Sequence, residues 1–219
     1  MKLKNKITTI ALVSSLGLAG AANAQEAVIT GIIDPDYDFN GRGIELYIDG
    51  TVDLSTFTLQ RSSNGNNSFS SNLTLTGTFT DEFVYVVNDS TVFASAWGTT
   101  GDFANVIQNG NVSGNGNDAF RLVDAATELT TFDIIGDPAS NTDLWLDGWL
   151  YKNDGVGNIA TWDAANFTVS GNNVLDGLTA TQTAAAVPFG TYAVPEPSAY
   201  ALLAGMLGLG YVMVRRRRA

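Results

Sequence analysis

The 219-residue sequence contains no cysteine and no histidine. Without cysteine the chain forms no disulfide, no thiolate zinc site and no cysteine nucleophile, and without histidine it has no imidazole for acid–base chemistry. Basic side chains are also scarce between Gln25 and Val194, where 4 of them stand against 21 acidic residues, a net charge of −17. So acidic a body repels phosphate backbones, and we expect no nucleic-acid partner. The same charge favours solubility and attracts divalent cations.

The first 24 residues have the order of a secretory signal peptide. Three lysines precede a mostly apolar run, 7–19, and Ala22 and Ala24 form the small-residue A-x-A site that precedes signal-peptide cleavage. We therefore predict that the protein is exported and that signal peptidase, its first partner, cuts after Ala24.

The C-terminal end combines three features in a fixed order. Pro195, Glu196 and Pro197 mark an extended boundary, because proline lacks a backbone N–H and restricts the residue before it. An uncharged apolar run, 199–214, follows and would form a helix of ~24 Å, enough to cross a locally thinned bilayer. The chain then ends on a basic cluster of Arg215, Arg216, Arg217 and Arg218. Since arginines stay on the cytoplasmic side, we predict a transmembrane helix over 199–214 with the body outside.

This order of motif, apolar helix and arginine cluster resembles the PEP-CTERM sorting signal of Gram-negative bacteria that make extracellular polymeric substance. The resemblance implies a second processing partner, exosortase, a membrane-embedded cysteine protease that cuts near the Pro195–Pro197 motif. It also implies a route: transient anchorage in the inner membrane with the body outside, then the cell surface or the extracellular space. The signal implies an address and not the activity of the part that is delivered.

Between the two end signals, short β-rich runs alternate with turns rich in Gly, Asn, Asp and Ser. Apolar and polar residues alternate with period two in several of these runs, and helical periodicity is absent before residue 199. This pattern predicts an all-β body, an antiparallel sandwich or barrel. The apolar phase of the alternation should face inward. It comprises Leu46, Phe57, Leu59, Phe120 and Leu122.

Two blocks of this region resemble a known family. The segments 43–47, 52–55 and 57–59 (GIELY, VDLS and FTL) are similar to the opening of a lamin-tail domain, and 116–124 with 132–133 resembles its second block. The resemblance implies an immunoglobulin-like antiparallel β-sandwich over residues 25–140. We assign 141–190 to a β-rich extension and 191–219 to the sorting signal.

The extension resembles the segment that follows the lamin-tail-like region in secreted bacterial nucleases, through 147–152, 161–163 and 166–170. In those proteins a metal-dependent nuclease domain comes next, whereas this chain continues to the sorting signal. The resemblance therefore implies an accessory module, and we expect no enzymatic activity.

Four acidic residues have the spacing of calcium ligands in an EF-hand loop: Asp34, Asp36, Asp38 and Glu45. Phe39 stands where the loop needs glycine, and β-like runs flank it, so an EF-hand is excluded. Two interpretations stay open, a looser calcium site on a β-loop and a solvated acidic loop without an ion. Four aromatic residues are likewise either a sugar-stacking platform or sheet packing. They are Trp145, Trp149, Tyr151 and Trp162.

These patterns predict an exported, exosortase-processed and non-enzymatic protein of the cell surface or extracellular matrix, acting as a structural or binding module. The alternative is a calcium-dependent carbohydrate-binding module with extracellular polysaccharide as its ligand. Calcium is the one cofactor that the sequence suggests.

Overall fold

The computed structural model describes residues 26–193 and Met206. The predicted signal residues Ala22 and Ala24 lie outside this part, as do Pro195, Glu196, Pro197 and the arginines 215–218. Within the residues described, no helix combines the length and the apolar character that crossing a membrane requires. The predicted span, 199–214, is outside the described residues apart from Met206.

β-Strands dominate the described chain, which confirms the predicted all-β class. The strands are β1 (Glu26–Ile33), β2 (Gly43–Asp49), β3 (Thr51–Asp53), β4 (Phe57–Ser62), β5 (Phe69–Thr74), β6 (Thr78–Thr80), β7 (Phe83–Val87), β8 (Val106–Gln108), β9 (Ala119–Asp124), β10 (Thr131–Ile135), β11 (Trp149–Lys152) and β12 (Phe167–Val169). Two short helices accompany them, α1 (Ser90–Trp97) and α2 (Ala180–Ala186).

The larger sheet has six strands in the order β12-β11-β1-β2-β7-β8, and the smaller one has four in the order β10-β9-β4-β5. Neighbouring strands are antiparallel except for β7 and β8, which run parallel. A separate ladder joins β3 to β6. In β1 the register with β2 shifts between Ile29 and Gly31, where a bulge bends the strand.

The main hydrophobic core lies between the two sheets and contains residues from both. Leu46 of β2 shares this core with Leu59, Phe120 and Leu122 of the smaller sheet, and all four are fully buried. The predicted inward phase is thus confirmed for these residues. Phe57 is only half-buried, because it begins β4 at the rim of the core, where its ring meets Phe132 edge-on at 5.2 Å.

A second core covers the opposite face of the six-stranded sheet. Tyr85 of β7 and Phe93 of α1 pack there with Phe189 from the C-terminal segment 187–193. Gly31 permits this close approach, since a Cβ at that position would lie 2.7 Å from the Phe189 ring. The larger sheet is therefore buried on both faces, which explains why β7 reads as an unbroken apolar run instead of an alternating one.

The two helices were not predicted from periodicity, because each has only about two turns. The start of each helix nevertheless has N-capping residues that can be recognised in the sequence. Asp89 accepts hydrogen bonds from the backbone N–H groups of Thr91 and Val92 at the start of α1. Thr179 and Gln182 form a capping box at the start of α2.

The extension 141–190 shares a sheet and a core with the residues before it. β11 pairs with β1 and β12 pairs with β11, so both extend the six-stranded sheet. Trp145, Leu150 and Phe167 enter the core between the sheets. The predicted sandwich, 25–140, and the predicted extension, 141–190, therefore pack as one body within the described residues 26–193.

Candidate functional site

Three carboxylates from separate loops meet at one end of the larger sheet. One oxygen each from Asp36, Asp147 and Asp176 lies within 4.8 Å of the others. Asp36 follows β1, Asp147 precedes β11 and Asp176 precedes α2, so the fold brings the three together over long stretches of chain. The Gly177 backbone N–H donates to Asp36 Oδ2 at 2.9 Å.

The electrostatics of this cluster suit a hard cation. Partial burial raises the pKa of the Asp147 carboxyl, and the negative charges of Asp176 and Asp36 raise it further. Carboxylate oxygens are the ligands that calcium prefers, and a bound cation relieves repulsion among them. The three side chains could thus supply part of a calcium coordination shell.

Only Asp36 of the four predicted calcium ligands belongs to this cluster. Asp34 is buried and pairs with Arg42, whose Nε lies 2.6 Å from Asp34 Oδ1. Asp38 accepts a hydrogen bond from the Asn40 backbone N–H at 2.8 Å and begins a short 3-10 turn. Sequence reasoning missed Asp147 and Asp176, and no spacing signal links residues that lie more than a hundred positions from Asp36.

Glu45, the fourth predicted ligand, occupies a different and fully buried network. Its Oε1 accepts hydrogen bonds from Thr30 Oγ1 at 2.7 Å and from the Tyr151 hydroxyl at 2.9 Å. Its Oε2 accepts from the backbone N–H of Gly190 in the C-terminal segment. Burial raises the pKa of Glu45 to about 7, although these hydrogen bonds act in the opposite direction. Glu45 therefore fastens the C-terminal segment to the sheet.

A buried ion pair crosses from one sheet to the other. Lys152 of β11 and Asp133 of β10 are both fully buried, and Lys152 Nζ lies 2.7 Å from Oδ1 and 2.6 Å from Oδ2 of Asp133. The Asp133 carboxylate also accepts the backbone N–H of Ile29, at the β1 bulge, at 2.7 Å and that of Ile159 at 2.9 Å. Lys152 Nζ donates in addition to the Gly157 carbonyl oxygen at 3.2 Å.

A surface cleft of about 340 Å³ lies beside the four-stranded sheet. Arg121 lines it, with its guanidinium carbon 4.1 Å from the centre of the Phe69 ring, and donates two hydrogen bonds to Gln60 Oε1. Trp162 forms part of the wall and stacks on Phe167 at 4.8 Å. One cation and two aromatic rings thus share a single cleft.

The four aromatic residues considered as a sugar platform do not form one surface. Trp145 is fully buried between the sheets, and Trp149 and Tyr151 pack in or against the second core. Trp162 alone of the four lines the Arg121 cleft. Packing is therefore the role of the other three.

In comparisons with known proteins, no family model matches the chain and no curated protein matches it. The resemblances to the PEP-CTERM signal and to the lamin-tail domain stay predictions from the residues that carry them.

Proposed function

We propose that this chain is an exported, exosortase-processed protein that serves at the cell surface or in the extracellular matrix as a structural or binding module without enzymatic activity. One observation carries the proposal: residues 26–193, which lie between the two predicted cleavage points, form one packed body with two hydrophobic cores and no cysteine. Strand β1 (Glu26–Ile33) lies inside the larger sheet, between β11 and β2. At the other end the Ala193 N–H donates to Asp154 Oδ1 at 3.0 Å, and its carbonyl accepts from the Gly155 N–H at 3.0 Å.

This packing and the charge of the body support a role outside the cell. The acidic body favours solubility outside the cell, and the two cores supply the stability that disulfides give many exported domains.

The immunoglobulin-like, lamin-tail-like plan is part of the same proposal. Two facing sheets with mostly antiparallel pairing support it. The segments that carry the resemblance also form central elements: 43–47 lies in β2 and 120–124 lies in β9.

Intact-mass spectrometry of the protein released by its own host tests the processing. The expected species begins at Gln25 and ends near Pro195. A matched variant with serine at 215–218 removes the charges that stop export, and we expect it to leave the membrane uncut, since the weak apolar span no longer holds it in register. A wild-type secreted species that retains the arginines contradicts the proposal.

A second candidate function, calcium-dependent carbohydrate binding, is favoured by the Asp36–Asp147–Asp176 cluster and by the Arg121 cleft. Aromatic faces stack on sugar rings, and Arg121 offers donors to hydroxyl or carboxylate groups. Affinity electrophoresis through gels that contain a neutral glucan or a uronate-rich polysaccharide measures binding with and without calcium. We expect Trp162→Ala to lose the retardation, while Val174→Ala, at an exposed position, keeps it. Equal retardation of wild type and Trp162→Ala contradicts a role for the cleft.

A further inference from the structure

The salt bridge between Lys152 and Asp133 brings the amine nitrogen into contact with both oxygens of a buried carboxyl group. Both side chains are fully buried, the ammonium nitrogen is within 2.7 Å of both carboxylate oxygens, and the two residues belong to different sheets. We propose that Lys152 and Asp133 condense into an amide, an intramolecular isopeptide bond that joins the two sheets covalently.

The reaction needs no co-reactant. The ammonium first passes a proton to the carboxylate across their hydrogen bond, which gives a neutral amine and a neutral carboxylic acid. Lys152 Nζ then attacks Asp133 Cγ, and the C–N bond forms. One carboxyl oxygen leaves as water with the acid proton and a proton from the amine. The products are one secondary amide and one water molecule.

The surroundings favour the neutral forms that this reaction requires. Burial raises the pKa of Asp133 and lowers the pKa of Lys152, although the attraction within the pair opposes both changes. The Phe167 ring lies 5.7 Å from Nζ, and Trp162 stacks on that ring, so the nearby walls are apolar. A fixed contact between amine and carboxyl also replaces an improbable encounter with an intramolecular step.

Backbone donors are placed where negative charge develops. Attack on Cγ converts a carboxyl oxygen into an oxyanion in the tetrahedral intermediate. The Ile159 N–H points at Asp133 Oδ1 at 2.9 Å and the Ile29 N–H at Oδ2 at 2.7 Å. Fixed N–H groups of this kind stabilise an oxyanion without reorganisation of solvent.

The product also finds hydrogen-bond partners already in place. If Oδ2 leaves, the amide carbonyl keeps Oδ1 and the Ile159 N–H as its donor. The new amide N–H, at the position of Lys152 Nζ, faces the Gly157 carbonyl oxygen at 3.2 Å. The Ile29 N–H loses its acceptor, which makes departure of Oδ2 less costly than departure of Oδ1, because Oδ1 serves both Ile159 and Ile134.

The chain contains no cysteine and forms no disulfide, so this amide supplies a covalent cross-link of another kind. It closes the loop from residue 133 to residue 152 and restricts the unfolded chain in the way a disulfide does. The strands that it joins, β10 and β11, belong to opposite sheets, so it resists their separation under load.

Mass spectrometry of the full chain tests the proposal directly. We expect the denatured protein to be lighter than its sequence by one water per chain, and a digest to contain a branched species that links the peptide of Lys152 to that of Asp133. Protein at full sequence mass, with two separate linear peptides, overturns the proposal. A water lost at Asp133 alone, as a cyclic imide without a branched peptide, overturns it as well.

Lys152→Arg serves as the control, because arginine keeps the positive charge and forms no such amide. We expect the variant to retain the full sequence mass, and loss of one water in that variant overturns the proposal. Should the variant fail to fold, the branched peptide of the wild-type chain still decides the question. The bond forms within one chain, so export is not required, and a chain that is never exported still carries it.

Discussion

The buried carboxyl of Glu45 predicts a stability that falls as pH rises. Its pKa is about 7 in the folded protein against an ordinary value of 4.5, and burial is the main cause. The folded state therefore holds this proton more tightly than the unfolded state does. Its contribution to the free energy of unfolding is fully present below about pH 4.5 and is lost as the pH rises through about 7.

The two pKa values fix the size of the effect. Their difference corresponds to about 3 kcal/mol, of which about 2–3 kcal/mol is lost between about pH 5 and about pH 8. Glu45→Gln removes the titrating group while nearly preserving its shape. The substitution has a fixed cost, because the glutamine amide cannot accept the hydrogen bonds of both Tyr151 and Gly190. That cost is the same at both pH values, so it cancels from the comparison.

Urea denaturation of both proteins at about pH 5 and about pH 8 is the assay. We expect the stability of wild type relative to Glu45→Gln to fall by about 2–3 kcal/mol between the two conditions. Glu128→Gln, at an exposed carboxylate, controls for the loss of one negative charge. If the difference in free energy of unfolding between wild type and Glu45→Gln is the same at both pH values, the argument that burial raises the pKa of Glu45 is refuted.

Three further predictions concern the core, the acidic cluster and the tail. Leu59→Ala in the inter-sheet core should lower the free energy of unfolding by ~2–5 kcal/mol. Leu129→Ala, at a side chain 86% exposed, should change it by less than ~0.5 kcal/mol. Urea denaturation measures both, and similar values for the two variants would mean that the core is misplaced. Calcium should raise the melting temperature of wild type but not of Asp176→Asn, and an equal rise in both would remove the cluster as the site. Pro195→Ala combined with Pro197→Ala should leave the secreted mass at the uncut value if exosortase reads the motif, and normal trimming of this variant would show another recognition element.

The sequence predicted more of the fold than of the candidate site. Alternation over 44–48 and 120–122 predicted strands and their inward side chains correctly, because period two is a local property of extended backbone. The helices α1 and α2 were missed, since two turns give too little periodicity. The pairing of β7 with β8 in parallel, across a helix, has no local signature at all.

The residues of the acidic cluster were harder to predict than the strands, because they lie far apart in the sequence. The regular spacing of Asp34, Asp36 and Asp38 suggested one metal-binding loop, but the backbone between β1 and the 3-10 turn at Phe39–Gly41 is irregular, so the three side chains meet different surroundings. Asp34 meets Arg42, Asp38 begins a 3-10 turn, and Asp36 alone reaches other carboxylates.

The sequence by itself determined the composition-based exclusions and the all-β class, since each depends on residue identity or on short-range order. The two end signals stay predictions from the sequence. The tertiary structure decided which charged side chains meet. Lys152 approaches Asp133 because β11 joins the larger sheet opposite β10, and Asp176 approaches Asp36 because the segment before α2 folds back over the loop after β1. Such contacts depend on how sheets stack and loops close, and those arrangements follow from burial summed over the whole core instead of from any one stretch of chain.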